Sequence, residues 1–358
     1  EYRPLFKRWC VVPYILSCES CSSVKILLYS PWFWPHIGGI ESLMRNFAEE
    51  FHAAGHEVTI ATLWPGPEQL DSAPIPIIRS PNLWQLWKEA RKSELCLMAG
   101  LSLKGLFPLL LAGRPVVVTH QGWYYENPRL RDRIKDIASR WTCNICASHS
   151  IADHIGRFSA VVGNPYDSNT FIIDSAVEKK WDIAFVGRLV SDKGADVLLN
   201  ALEHIRRVTN MRPKVAIIGD GVERDKLEKQ AADLKLSDQV DFLGYHVGFG
   251  LAKMLNASTV LAVPSRWEEP FGIVALEGAA CGCIVVATDG GGLPEAVGPS
   301  GYLANRNDAE DFACKLMIAL SSDGAPPREA IEEHLERHKA PFVADQYLKI
   351  FSEIVHSA

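Results

Sequence analysis

Two glutamates, Glu269 and Glu277, stand eight residues apart in the stretch Ser265-Arg266-Trp267-Glu268-Glu269-Pro270-Phe271-Gly272-Ile273-Val274-Ala275-Leu276-Glu277-Gly278-Ala279-Ala280-Cys281-Gly282. The apolar run at 260–263 before it reads as a buried strand. Proline suits a first helical position because its φ is already near the helical value, so Pro270 predicts a helix from just after Glu269 to Gly282. Glu269 then lies at the helix mouth, among unpaired N–H groups, with Glu277 two turns inside. At the helical rise the two are about 12 Å apart, the span from the sugar to the ribose of a nucleotide sugar. Gly272 has no Cβ, so a ligand can approach the backbone there. Either glutamate alone reads equally well as a solvated carboxylate on an amphipathic helix.

What changes the reading is a pair of cations. The strand predicted at 181–186 runs into Gly187-Arg188-Leu189-Val190-Ser191-Asp192-Lys193-Gly194, and a helix follows to about Arg207. An arginine that can bind two oxygens at once and a lysine that acts as a point charge suit a diphosphate. A cation at a helix N-terminus opposes the helix dipole, so Lys193 calls for an anionic partner. A second strand and turn, at 215–221, carries Gly219 and resembles half of a dinucleotide fingerprint, with Asp241 about 20 residues on. Arg224 occupies the third glycine position, which leaves an NAD enzyme as a weak alternative. Gly290-Gly291-Gly292-Leu293-Pro294-Glu295 offers backbone amides to a phosphate or sugar.

Glu269-Pro270-Phe271-Gly272, then four residues, then Glu277 resembles the E-x7-E signature of the retaining, nucleotide-sugar-dependent glycosyltransferases of family 4, which have the GT-B fold. The resemblance covers roughly residues 24–320, with several motifs in the family's order. It implies two Rossmann-like, doubly wound parallel-sheet α/β domains facing across a cleft. It implies that Glu269 holds the donor sugar, Glu277 holds the ribose, and Arg188 and Lys193 neutralise the leaving nucleoside diphosphate. Gly187, Gly219 and the turn Pro270-Phe271-Gly272-Ile273 would complete the donor site. Gly38-Gly39 matches the family's N-terminal glycine loop over the donor diphosphate, and His120 stands where the family has a histidine facing donor and acceptor. The resemblance further implies front-side attack, with the leaving phosphate taking the acceptor proton, and no metal or other cofactor. Gly163-Asn164-Pro165 departs from the family's Pro-Asn-Gly order, and Cys283 replaces a usual proline.

The first half supplies the remaining elements. A strand at 24–30, a helix to about Ala54 with Leu43, Phe47 and Phe51 on one face, and a strand at 57–63 make a βαβ unit. The glycines at its first turn are where amides can cradle an anion. Strands are predicted at 95–98 and 115–119 around an apolar helix at 101–111. His120 at the carboxyl end of such a strand is either a ligand-facing group or one that packs locally. Trp123 and Tyr124 after it stack on an acceptor sugar or fold over the core. A helix at 129–141 would turn Leu130, Ile134, Ile137 and Trp141 inward. Arg129 and Arg133 then serve an acceptor phosphate or membrane contact, or form a solvated face.

The chain has 358 residues and a net charge of −6, enough for two cores and too acidic for general nucleic-acid binding. The charge is uneven, about +1 over residues 1–175 and −7 beyond, which leaves room for an anionic acceptor or a lipid headgroup near the first half. Nine cysteines, with Cys18/Cys21 and Cys143/Cys146 in C-x-x-C spacing, form no obvious disulfide framework and indicate a reducing cytosol. The expected organisation is an extension at 1–23, domains at 24–170 and 171–335, a hinge near 165–180, and a C-terminal helix within 336–358 that crosses back. The function expected is hexosyl transfer to a glycan, glycolipid or lipid-linked acceptor in envelope polysaccharide or glycoconjugate synthesis, in the cytoplasm or at the inner membrane face. Rival readings are a sugar-nucleotide epimerase or hydrolase of the same fold and a non-catalytic sugar-nucleotide-binding protein.

Overall fold

A computed structural model of the chain describes residues 23–36, 38–124, 134–135, 137–321 and 326–357. The chain forms two units, Glu1–Asn164 with Ala340–Ala358, and Pro165–Lys339. The boundaries fall at 164/165 and 339/340, not at the expected 170/171 and 335/336. The reason is local: the Tyr166 amide donates to the His338 carbonyl at 3.1 Å, and Tyr166 pairs with Lys339. Both stretches of chain are thereby sewn into the second unit. The expected extension lies outside the described residues up to residue 22.

The first unit is a seven-stranded, all-parallel sheet in the order β3-β2-β1-β4-β5-β6-β7. The strands are Lys25–Ser30 (β1), Glu57–Thr62 (β2), Ile77–Arg79 (β3), Leu95–Ala99 (β4), Val116–His120 (β5), Cys143–Cys146 (β6) and Ala160–Val161 (β7). β4 and β5 are buried along their whole length, as strands covered on both faces must be, which is why they read as unbroken apolar runs. Helix Gly39–Ala53 packs Leu43, Phe47 and Phe51 onto one face. Helix Ala340–His356 completes that layer: Tyr347 lies against Phe47 at 4.4 Å and Phe351 against Phe51 at 5.5 Å. The Tyr347 hydroxyl meets Thr119 Oγ1 at 2.8 Å, fixing the helix to the end of β5.

The segment predicted as a helix at 129–141 differs from expectation where it is described. Ile134, Ile137 and Trp141 are exposed, and the small Ala138 and Ser139 face inward instead. The apolar spacing does place Ile134, Ile137 and Trp141 on a shared face, but that face points to solvent, and the segment closes in a 3₁₀ turn at Ser139–Trp141. Leu130, Arg129 and Arg133 lie outside the described residues. Among the described residues, no helix is long and apolar enough to cross a membrane.

The second unit is a six-stranded, all-parallel sheet in the order β10-β9-β8-β11-β12-β13. Its strands are Trp181–Val186 (β8), Val215–Ile218 (β9), Val240–Gly244 (β10), Ser258–Val263 (β11), Ile284–Thr288 (β12) and Gly301–Ala304 (β13). In each sheet the strand order reverses beside the first strand, between β1 and β4 and between β8 and β11. The chains leaving those two strands diverge to opposite faces, opening a crevice at the carboxyl ends. Ala262 of β11 is in register with Phe185 of β8, so the loops after both strands emerge side by side. Those loops carry Arg188, Lys193 and Glu269.

Candidate functional site

Lys193 closes a 3₁₀ turn, Ser191–Lys193, and Gly194 follows in the left-handed region with φ 69°. A Cβ at 194 would run into the Pro264 carbonyl, so only glycine lets this loop lie against the end of β11. The Asp192 carbonyl accepts from the Arg266 and Trp267 amides at 2.9 and 3.2 Å, tying the two loops together. The anionic partner that Lys193 demands is Glu269. Lys193 Nζ donates to Glu269 Oε1 at 2.5 Å, and Ser265 Oγ donates to the same oxygen at 2.6 Å. Ser265 lies four residues before Glu269 and carries no sequence signal of its own.

Glu269 is buried while Oε2 has no hydrogen bond among the described residues, so the carboxylate is anchored by one oxygen and free to accept with the other. Arg188 is exposed, and its guanidinium has no partner among the described residues. One anchored carboxylate, one shared cation and one free cation thus lie on adjoining loops at the switch point of the sheet.

The helix carrying Glu277 begins later than Pro270 suggests. It runs Ile273–Ala280, and Gly272 is its N-cap with φ 103°. The backbone at 272 is accessible only to glycine, and a Cβ there would meet Leu293, so both packing and φ require this glycine. Glu269 accordingly stands before the helix in a separate turn. Gly291 and Gly292 are likewise packed onto the backbone of 268–271, with the Gly292 amide donating to the Glu269 carbonyl at 2.7 Å. Gly219, with φ 148°, lies against the Gly187 carbonyl, where any Cβ would collide. These glycines shape the loops. Beneath the turn, the Phe271 ring meets His338 at 5.6 Å and His338 meets His334 at 4.6 Å. Burial holds both histidines below the usual range, His338 down to about 4.

Glu277 projects from the helix without a hydrogen-bond partner among the described residues. Burial, and then the charge of Asp167, push its carboxyl up to about 7. An acid whose folded pKa is raised binds its proton more tightly folded than unfolded, so its stability contribution is present at low pH and lost as pH rises through 7. The shift from 4.5 corresponds to about 3 kcal/mol. Glu277→Gln is expected to leave the urea midpoint unchanged at pH 4 and raise it at pH 8. Equal midpoints for variant and wild type at pH 8 would show that the burial penalty is absent.

In the first unit, His120 ends β5 and is fully buried. Its Nε2 donates to Asn144 Oδ1 at 2.9 Å, which leaves Nδ1 to accept from the Tyr124 hydroxyl at 3.0 Å. Burial keeps the ring neutral, with a pKa lowered to about 4. Of the two readings the sequence leaves open, this geometry is that of a locally hydrogen-bonded histidine. Tyr124 is committed too, since its hydroxyl also accepts from the Leu101 amide at 3.0 Å. Trp123 stands edge-on to His154 at 5.3 Å. Gly38 precedes the helix Gly39–Ala53, and a Cβ on it would collide with the Glu41 carboxylate, whereas Gly39 faces open space.

The loops just described coincide with two adjoining family matches. Residues 37–168 match the model of Glycosyltransferase Family 4, and residues 168–337 match that of Glycosyl transferases group 1. The chain belongs to glycosyltransferase family 4. Curated relatives include the D-inositol 3-phosphate glycosyltransferase of Corynebacterium jeikeium, 38% identical over 184 residues, or 48% of this chain and 43% of that protein. The enzyme of the same name from Mycolicibacterium smegmatis is 36% identical over 176 residues, 48% of this chain and 39% of its own. The chain therefore spans less than half the length of these relatives. Anabaena HepE, solved in complex with UDP, superposes with a TM-score of 0.78 at 21% identity, covering 92% of this chain and all of HepE. A glycosyltransferase from Rickettsia africae gives the same TM-score at 17% identity, over 94% of this chain and 100% of its own. At such identities the likeness speaks for the fold, and this family 4 chain has the GT-B fold.

Proposed function

We propose that the chain is a retaining glycosyltransferase that moves a hexosyl group from a nucleoside-diphosphate sugar to a hydroxyl acceptor. The observation that carries this reading is the Lys193–Glu269–Ser265 cluster at the switch point of the second sheet, with Arg188, which has no side-chain partner among the described residues, on the same loop as Lys193. A diphosphate leaving group develops charge as the glycosidic bond breaks, and fixed cations aimed at it lower the barrier. Arg188 and Lys193 take that role. Glu269 Oε2 accepts from a sugar hydroxyl, and the Glu277 carboxylate accepts from the ribose. The C1–oxygen bond breaks with its electron pair going to the diphosphate. The acceptor hydroxyl attacks C1 from the same face and passes its proton to the departing phosphate oxygen.

Two cations suffice for this charge, so transfer proceeds without a divalent ion. The D-inositol 3-phosphate glycosyltransferase relatives and the UDP held by HepE support a nucleotide-sugar donor. The acceptor is a glycan or lipid-linked hydroxyl, at the cytoplasmic face of a membrane or free in the cytoplasm.

The test is initial rates with UDP-, GDP- and ADP-sugars in EDTA, with product separation to detect a glycosylated acceptor with retained anomeric configuration. One donor should saturate in EDTA. Glu277→Ala should weaken both that donor and its bare nucleoside diphosphate by about 10- to 150-fold, the range for a lost charged hydrogen bond. Release of free altered sugar alone would replace this reading with the epimerase or hydrolase one.

A further inference from the structure

The first sheet has its own switch point, between β1 and β4, and the loop leaving β1 there is unusually aromatic: Pro31-Trp32-Phe33-Trp34-Pro35-His36. Phe33 turns into the core, and Trp32 stays 53% exposed. Trp64, from the loop after the neighbouring β2, lies 4.9 Å from Trp32 and 4.6 Å from His36 between ring centres, and Trp32 and His36 are 5.5 Å apart. Three rings from two loops thus meet at the carboxyl edge of the sheet, where ligands of open α/β sheets bind.

The cluster is held from behind. Arg79 Nη1 donates to the Trp34 and Trp64 carbonyls at 2.8 and 3.1 Å, so a single guanidinium clamps both aromatic loops. Ser30 Oγ donates to the Trp32 carbonyl at 2.5 Å, and the Trp64 amide donates to Thr62 Oγ1 at 3.2 Å. The polar edge is fixed as well. His36 Nδ1 meets the buried Glu41 carboxylate at 2.9 Å, which leaves Nε2 without a partner among the described residues. A rigid aromatic face with a hydrogen-bonding nitrogen at its rim is complementary to a sugar ring, whose C–H face is apolar and whose edge carries hydroxyls. An acyl chain would leave the His36–Glu41 rim unused.

We infer that Trp32, His36 and Trp64 form a platform on which one pyranose ring of the acceptor stacks. The inference rests on the glycosyl-transfer reading for its occupant and on this cluster alone for its place. The test uses saturation-transfer NMR with methyl gluco-, galacto- and mannopyranosides and with octyl glucoside, beside calorimetric titration with UDP, GDP and ADP. Magnetisation should reach the C–H protons of one ring face. Sugar affinity should fall about tenfold in Trp32→Ala and in Trp64→Ala, and be largely kept in Trp32→Phe, with nucleotide affinity unchanged. Absence of transfer to every sugar, equal transfer in wild type and both alanine variants, or transfer confined to the octyl chain overturns the platform. Sugar binding without any nucleotide binding would instead sink the donor reading and leave the platform standing.

Discussion

Lys193→Ala is expected to lower kcat/KM for transfer by about 10²- to 10³-fold, the loss seen when one preorganised donor is withdrawn from developing charge. The variant has a second effect, because it strands Glu269, whose Oε1 keeps only Ser265. Breaking a buried pair on one side costs about 3–5 kcal/mol; here the residual solvent access of the pair puts the expected loss at the lower end. Adding Glu269→Gln to Lys193→Ala should therefore restore much of the stability and none of the rate. Arg188→Ala separates the two effects from the other direction. With no side-chain partner among the described residues to lose, it should leave the urea midpoint unchanged while lowering the rate by a similar order. Initial rates and denaturation curves on the four proteins decide the matter. A double variant that recovers activity together with stability would place Lys193 in the scaffold only.

The double variant Tyr347→Ala/Phe351→Ala is expected to unfold the first unit within the full-length chain. Removing a buried aromatic side chain costs about 3–5 kcal/mol, and both of these are fully buried in the cluster with Phe47 and Phe51. Two such losses approach the whole stability of a domain, about 5–15 kcal/mol. The second unit draws its core from its own residues and should still bind nucleoside diphosphate. Hydrogen exchange should thus show protection lost over β1, β4 and β5 and kept over β8, β9 and β11. Protection unchanged in the first unit would mean that the C-terminal helix is an accessory.

What the sequence disclosed follows from what each residue type can signal. Parallel strands covered on both faces are apolar without interruption, so β1, β4, β8 and β11 were readable, and strand-to-helix alternation then implied two doubly wound sheets. The need of Lys193 for an anion was also legible, since a cation opposes a helix N-terminus. Helix starts were less so. Pro270 is equally at home in a turn, and the left-handed φ of Gly272 moved the start to Ile273. The glycines at 219, 272, 291 and 292 each have a close protein neighbour that a Cβ would meet, a requirement the sequence does not display because a missing Cβ looks the same whichever neighbour requires it. Ile134, Ile137 and Trp141 misled because apolar spacing fixes a shared face and not the direction in which it points. Trp32 and Trp64 were silent, being 32 residues apart and brought together by the pairing of β1 with β2 and by the Arg79 clamp.

The return of helix Ala340–His356 to the first unit sets an order on biosynthesis. When residue 164 has left the ribosome, the first sheet can be complete in its strands and still lack Val343, Tyr347, Phe351 and Ile354 from one face. Phe47 and Phe51 then await partners until residues 340–356 are made. At about 5–20 residues per second that interval is about 10–40 s. The second unit, continuous from 165 to 339, has no such wait, so the half synthesised first is the half that finishes last. Chaperone demand on the nascent chain should accordingly fall on the sheet face around Phe47, and close when helix Ala340–His356 is released.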